Sequence, residues 1–187
     1  MKSRLTKKDV FAALKALNER LAEAGIKAEI CLYGGTSMML AFNARLSTKD
    51  VDAVFKPKGI IRKLAEGIAD DLGLEKGWLN DGVKGFLSEK GKFTGKGLRQ
   101  FPNIQITRPT ADYLLAMKCM AARAPGYDTR GDRADILFLM RHLKISTEKE
   151  ALDLVERFYP KERIVPKTQF FVLECVNELN NEPQNPS

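Results

Sequence analysis

The chain is poor in the residues on which several protein classes depend. Its 187 residues include one histidine, one tryptophan and three cysteines. The single histidine, His142, lies in an apolar helical segment and argues against histidine-based acid–base chemistry. The cysteines, Cys31, Cys119 and Cys175, are scattered in apolar surroundings without metal-ligand spacing. We therefore expect buried free thiols, and neither a disulfide framework nor a zinc site.

Long apolar runs are also missing. No segment approaches the length needed to span a bilayer, and the N-terminus leads into an amphipathic helix that does not resemble a signal peptide. We expect a cytoplasmic protein without a membrane partner. The formal charge of +7 is compatible with an anionic partner, a nucleotide or RNA, but is also common in proteins that bind neither.

The first part of the chain alternates between helix and strand signals. Thr6 and Asp9 have the spacing of a capping box at the start of a helix. The later signals are a strand at about 28–33, a helix after it, a strand over 50–55, a helix over about 59–72, a loop or hairpin region over 78–97, and a strand at 103–107. This pattern predicts an α/β (α+β) fold in which helices flank a mixed sheet over residues 1–108.

The second part of the chain is helical in pattern. Helices are expected over about 110–124, 132–143, 147–158 and 167–179, followed by a polar, frayed tail. We expect residues 109–187 to form an α-helical portion that packs on the core and closes one side of its cleft.

The segment Tyr33-Gly34-Gly35-Thr36-Ser37 lies between an apolar strand and a helix. Glycines at such a position allow a sharp turn and close approach of the backbone to a ligand, and a helix N-terminus favours an anion such as a triphosphate. Thr36 and Ser37 are either an N-cap pair, the commoner use of hydroxyls there, or phosphate ligands.

The segment Lys49-Asp50-Val51-Asp52-Ala53-Val54-Phe55 follows about a dozen residues later. Residues two apart in a strand point to the same side, so Asp50 and Asp52 present both carboxylates to one spot. Paired carboxylates can hold Mg²⁺ or Mn²⁺ for phosphate chemistry. The alternative is an exposed strand end without a ligand.

Together these segments resemble the AbiEii-type nucleotidyltransferases of bacterial abortive-infection and toxin–antitoxin systems, within the nucleotidyltransferase-fold superfamily. The resemblance rests on the order GGTS, Arg45, KDVDAVF, then PTADYLLAMK ending at Lys118, and RGDRADI from Arg130, and it spans most of the chain. It implies transfer of a nucleoside monophosphate from an NTP to RNA, such as tRNA, or to a protein. A cognate antitoxin is implied as a possible partner.

The resemblance also implies roles for individual residues. It places Gly34, Gly35 and Thr36 at the phosphates and Asp50 and Asp52 at the metal. It directs Lys118 toward the triphosphate, with Asp132 and Asp135 nearby.

The residues themselves leave plainer roles open. Lys118 could be a solvated lysine, Asp132 an N-cap, and Asp135 an acid favoured by the helix dipole. Arg45 could contact phosphate or substrate, or lie on the surface of a loop.

One feature of active nucleotidyltransferases has no clear counterpart in the sequence. A third carboxylate usually lies on a later strand, where this chain has the neutral Gln105 between Ile104 and Ile106. Asp81, Glu89 or Asp132 are alternative sources of an acid. Three hypotheses follow: a transferase enzyme, a catalytically degenerate nucleotide- or RNA-binding module using Lys84, Lys90, Lys92, Lys96 and Arg99, and an interaction subunit of a toxin–antitoxin pair.

Overall fold

The computed structural model describes residues 2–122 and 130–181. Within these residues the chain forms seven α-helices and seven β-strands, which confirms the predicted α/β (α+β) class. The strands are β1 (Leu5–Thr6), β2 (Ala28–Leu32), β3 (Ser47–Thr48), β4 (Val51–Lys56), β5 (Leu79–Asn80), β6 (Phe93–Thr94) and β7 (Ile104–Pro109). The helices are α1 (Lys7–Glu23), α2 (Gly34–Ala41), α3 (Lys58–Leu72), α4 (Ala111–Ala121), α5 (Arg130–Leu143), α6 (Glu148–Phe158) and α7 (Pro166–Asn181).

The described chain divides into two compact units. The first consists of residues 2–85 and Phe93–Pro109 and holds every strand together with α1, α2 and α3. The second consists of Phe86–Lys92 and the residues from Thr110 onward, and it holds α4 to α7. A single division after residue 108 was expected, but Phe86–Lys92 belongs with the helices.

The sheet of the first unit has the strand order β5-β4-β2-β7-β6. β2 runs antiparallel to β4 and parallel to β7, and β5 runs parallel to β4. β6 pairs antiparallel with β7, in the region where a loop or hairpin was expected. The carboxyl end of β2 therefore lies beside the beginning of β4, where the two predicted aspartates occur.

One face of this sheet packs on helices. Alternate residues of β2, β4 and β7 are buried in a single core with residues of α1 and α3: Ile30, Leu32, Val51, Ala53, Phe55, Ile104, Ile106, Leu14, Leu17, Leu21, Ile61 and Ile68. The alternation follows from the period of two in a strand. Residues of opposite parity form the other face, on which Asp52, Val54 and Thr107 are half-buried.

Helix α1 begins as predicted. Thr6 is its N-cap, and its hydroxyl and the carboxylate of Asp9 form a capping box. Ala24 is the C-cap and is followed by Gly25 at φ +66°, as expected for a glycine that ends a helix. The two-stranded pairing of β1 with β3 was not predicted.

The second unit has its own buried contacts. The rings of Tyr113 in α4 and Phe158 in α6 lie 5.0 Å apart. The segment Phe86–Lys92 is bonded to these helices, because the Tyr113 hydroxyl accepts the Ser88 N–H at 2.8 Å and the Tyr159 hydroxyl donates to the carbonyl of Phe86 at 2.5 Å. These bonds explain why the segment belongs with α4 to α7.

Several remaining expectations concern single residues and ends. Cys119 and Cys175 are buried free thiols as predicted, whereas Cys31 is only half-buried. None of the helices in the described part of the chain combines the length and apolarity that crossing a lipid bilayer requires. The expected end of the first C-terminal helix at residue 124 and the tail 182–187 lie outside the described residues.

Candidate active site

The glycine turn lies at the start of α2, directly after β2. Tyr33 is the N-cap residue in extended conformation, and its side chain makes no capping hydrogen bond. Gly34 has φ +53°, a conformation that favours glycine. The Tyr33 N–H donates to the carbonyl of Asp52 at 2.8 Å, so the turn is bonded to the start of β4.

Side chains from the following segment approach the backbone of both glycines closely. A Cβ on Gly34 would lie 2.8 Å from Oδ2 of Asp52. A Cβ on Gly35 would lie 2.8 Å from the hydroxyl of Thr48 and 3.2 Å from a guanidinium nitrogen of Arg45. The structure thus brings the predicted residues Gly34, Gly35, Arg45 and Asp52 together at the N-terminus of α2.

Thr36 and Ser37 are not N-cap residues, contrary to one of their two predicted roles. They are the third and fourth residues of α2 and are fully buried. The Thr36 hydroxyl donates to the carbonyl of Asp50 at 3.2 Å, and the Ser37 hydroxyl donates to the carbonyl of Leu32 at 2.7 Å. The two hydroxyls thus bond α2 to the residue that precedes β4 and to the last residue of β2.

Asp50 directly precedes β4, which begins one residue later than predicted. Its carbonyl accepts the hydroxyls of Thr36 and Thr48, and its carboxylate Oδ2 accepts Nδ2 of Asn80 at 3.1 Å. Asp52 lies in β4 on the face opposite the core, with Val51 and Ala53 fully buried beside it.

Gln105 is not the counterpart of a third carboxylate. It pairs with Glu29 near the beginning of β2, whereas Asp52 is bonded to Tyr33 at the end of β2. Four residues separate these levels, about 13 Å along the strand. The side chain that donates to the Asp50 carboxylate comes from β5, where Asn80 is paired with Asp52.

Asp81 does not supply the third carboxylate either. Its carboxylate forms ion pairs with Lys58, Arg62 and Lys84 at 2.5–2.7 Å. Hydrogen bonds from Lys58 and then Lys84 hold the pKa of this carboxyl well below its usual range. Among the described residues, no group of three or more histidine, cysteine, aspartate or glutamate side chains is arranged to hold a metal ion.

A cavity of about 280 Å³ lies on the same sheet face as Asp52. Val54, the next residue of this face along β4, lines it together with Tyr33, Phe93 and Thr107. The ring of Phe93 is 48% exposed and meets that of Tyr33 edge to face at 6.4 Å. The cavity thus offers aromatic and hydroxyl groups on the sheet face that carries Asp52.

A larger cavity of about 740 Å³ lies at the other end of the sheet. Lys27, Lys56, Phe101 and Gln105 are among its lining residues. None of the predicted phosphate- or metal-binding residues lines it, so its size alone does not connect it with the predicted chemistry.

The remaining predicted residues form a cluster in the second unit. Lys118 of α4 is buried, and its Nζ lies 3.0 Å from Asp132 Oδ1 and 2.6 Å from Asp135 Oδ2. Asp132 lies inside the first turn of α5 and is therefore not its N-cap, whereas Asp135 is 2% exposed. A solvated lysine was the alternative role left open for Lys118, and its burial contradicts that alternative.

Comparison with protein-family models, curated proteins and solved structures finds no match to the chain. The geometry of the first unit therefore carries the functional argument. Sequence reasoning did not identify Asn80 and Thr48 as members of the site. Thr48 lies two residues before Asp50 and could have been suspected, whereas the contact of Asn80 depends on the pairing of β5 with β4.

Proposed function

We propose that the chain is a nucleotidyltransferase that transfers a nucleoside monophosphate from an NTP to RNA, such as tRNA, or to a protein. The single observation that supports this most is the close approach of the glycine turn to Asp52. The backbone of Gly34 lies so close to the Asp52 carboxylate that a methyl group would not fit between them. A turn suited to phosphates and an acid suited to a metal thus meet at one point.

A divalent cation fits this arrangement. Phosphates that approach the N-terminus of α2 would meet the negative charge of Asp52, with Asp50 two residues away, so their binding calls for a cation between them. Mg²⁺ is commonly held by one or two carboxylates together with substrate phosphates. Asp50 and Asp52 would hold Mg²⁺ or Mn²⁺, which supplies neutralisation of phosphate charge when bound.

A protein cation, Arg45, supplements this arrangement within the proposal. The guanidinium of Arg45 lies against Gly35, where it can attract phosphate oxygens. Lys118 was predicted to act on the triphosphate, and this stays a prediction. Two carboxylates lie close to its ammonium, and the desolvation of such buried charges offsets part of their mutual attraction.

A catalytically degenerate binding module is the second candidate. The contact of Asp50 with the neutral side chain of Asn80 favours it, because an amide cannot act as a general base. In either case we infer a cytoplasmic protein. The toxin–antitoxin or abortive-infection role, including a cognate antitoxin that would neutralise the activity, rests on the resemblance alone.

Labelling separates the two candidates. The protein is incubated with each α-labelled NTP, Mg²⁺ or Mn²⁺, total tRNA and cell lysate, and label in RNA and protein is measured. We expect Asp50→Asn and Asp52→Asn each to lower the label by on the order of 100-fold or more, because a metal contributes several kcal/mol to phosphoryl chemistry.

The matched control is Asp70→Asn. Asp70 is an exposed acid of α3 whose nearest cation, Lys76, lies 3.9 Å away. This variant should label as the wild type does. Label that persists in both site variants would contradict the transferase, and NTP binding without label would favour the degenerate module.

A further inference from the structure

Asn80 occupies the place beside Asp50 on the edge strand of the sheet. It lies opposite Asp52 in the parallel pairing of β5 with β4. Its Nδ2 donates to Oδ2 of Asp50 at 3.1 Å. One side chain is thus paired with one aspartate through the backbone ladder and bonded to the other through its amide.

The orientation of this amide is fixed from its other end. The Gly82 N–H donates to Oδ1 of Asn80 at 3.0 Å. Because the oxygen is engaged by the turn, the NH₂ group is the part that faces Asp50. A Cβ on Gly82 would lie 3.1 Å from the same oxygen, so the turn fits closely around the amide.

Hydrogen bonds of Trp78, the residue that precedes β5, fix the start of this strand. The Val51 N–H donates to the carbonyl of Trp78 at 2.6 Å, and the indole N–H of Trp78 donates to the carbonyl of Ala65 in α3. Trp78 is 2% exposed. Trp78, two residues before Asn80, is therefore hydrogen-bonded both to β4 and to α3.

We propose that Asn80 is a positioning residue, which orients the Asp50 carboxylate for a divalent cation and keeps the cation affinity below that of a site with three acids. The inference deepens the proposed function and rests on it for the identity of the cation site. The side chain needs no contact with substrate for this role. It leaves Asp50 Oδ1 for the cation, because Oδ2 accepts the amide.

The neutral charge of Asn80 has a direct consequence. An aspartate at this position would place a third carboxylate against Oδ2 of Asp50, which repels it when no cation is present and adds a ligand when one is bound. Alanine would remove the donor and leave Asp50 less well oriented. The two substitutions should therefore change cation affinity in opposite directions.

The test is titration of the protein with Mn²⁺ alone. Binding is monitored by calorimetry and by the electron paramagnetic resonance signal of free Mn²⁺. We expect Asn80→Ala to weaken Mn²⁺ binding about tenfold, the size of effect found for residues that orient metal ligands. We expect Asn80→Asp to tighten it about tenfold, because affinity rises with the number of charged ligands. A Mn²⁺-dependent rise in Tm should be larger for Asn80→Asp than for the wild type.

The control is Asn177→Asp, which adds the same charge at an exposed position of α7. Equal Mn²⁺ affinity in the wild type and both Asn80 variants would overturn the inference, as would the absence of Mn²⁺ binding in all of them. A gain in affinity with Asn80→Asp does not follow from a purely structural role. If this variant fails to fold by circular dichroism, Asn80→Ala still decides the question.

The labelling experiment on the same preparations keeps the two proposals separate. Mn²⁺ affinity that responds to Asn80, without label in RNA or protein, supports the positioning role and contradicts the transferase. Label that depends on Asp50 and Asp52, with Mn²⁺ affinity indifferent to Asn80, supports the transferase and overturns the positioning role.

Discussion

At the scale of single residues, Gly34 limits what the site can accommodate. Its φ of +53° disfavours any side chain, and a Cβ there would meet Asp52 Oδ2 at 2.8 Å. We expect Gly34→Ala to lower the free energy of unfolding by about 1–3 kcal/mol, the cost of a left-handed non-glycine residue, and to displace the carboxylate. Urea denaturation and Mn²⁺ titration measure the two effects.

Gly59→Ala is the matched control for this substitution. Gly59 lies in the first turn of α3, where a Cβ meets no atom within 4 Å. Alanine is favoured over glycine in helices by up to about 1 kcal/mol, so this variant should be as stable as the wild type or more so. Equal stability of Gly34→Ala and the wild type would show that the turn tolerates a side chain.

The proximity of the residues around the start of α2 could be predicted from sequence because their contacts are local. The glycines, Arg45, Asp50 and Asp52 lie within 19 residues, and their meeting follows from a strand, a turn and a second strand. The partner of Asp50 is 30 residues away, and only the register of β5 identifies it as Asn80. Gln105 was considered instead because a regular strand of alternating residues is visible in sequence, whereas a two-residue strand has no periodicity.

At the scale of elements, the N-terminal cap of α1 should make stability depend on acid pH. A hydrogen bond from Lys2, and to a smaller extent hydrogen bonds from Thr6, lower the pKa of Asp9 from 3.8 to about 2. A carboxyl whose pKa is lower in the folded state stabilises the protein above its unfolded pKa, and this contribution is lost as the pH falls from about 4 to about 2.

The measurement is Tm between pH 5 and pH 2 for the wild type and Asp9→Asn. The variant should melt at a lower temperature at pH 5, and the difference should shrink toward pH 2, because the protonated wild-type carboxyl no longer differs in charge from the amide. A Tm difference that is constant over this range would contradict the assigned role of Asp9.

Element-level prediction was accurate for helices and poor for short strands. The capping box at Thr6 and Asp9 and the apolar stripes of α1 and α3 identify helices because each signal is repeated within a few residues. The pairings of β1 with β3 and of β5 with β4 involve two residues in each partner, and such pairs are determined by the rest of the fold.

At the scale of the whole molecule, we expect the net charge of +7 to give the protein a salt-dependent affinity for RNA. Lys96 and Arg99 are exposed within the first unit. We expect the affinity for total tRNA to fall at least tenfold between 50 and 200 mM salt, because phosphate contacts release counterions. Lys96→Glu/Arg99→Glu should reduce both the affinity and its salt dependence, as measured by fluorescence anisotropy with labelled tRNA.

A matched charge reversal shows whether the effect is local. Lys15→Glu in α1 changes a lysine whose side chain is 69% exposed. After correction for the number of charges, it should weaken binding less than the double variant does. Equal effects per charge would indicate attraction by net charge alone, without a defined RNA surface.

The order of pairing in the sheet has a consequence for folding. Ile30 of β2 pairs with Phe55 of β4, 25 positions along the chain, and with Ile106 of β7, 76 positions along. Because loop-closure entropy grows with the logarithm of length, the longer closure costs about 1 kcal/mol more. Contacts between β2 and β4, the strands next to Gly34, Asp50 and Asp52, should therefore form before β7 joins the sheet. The candidate site would then be among the first parts of the chain to reach its native pairing.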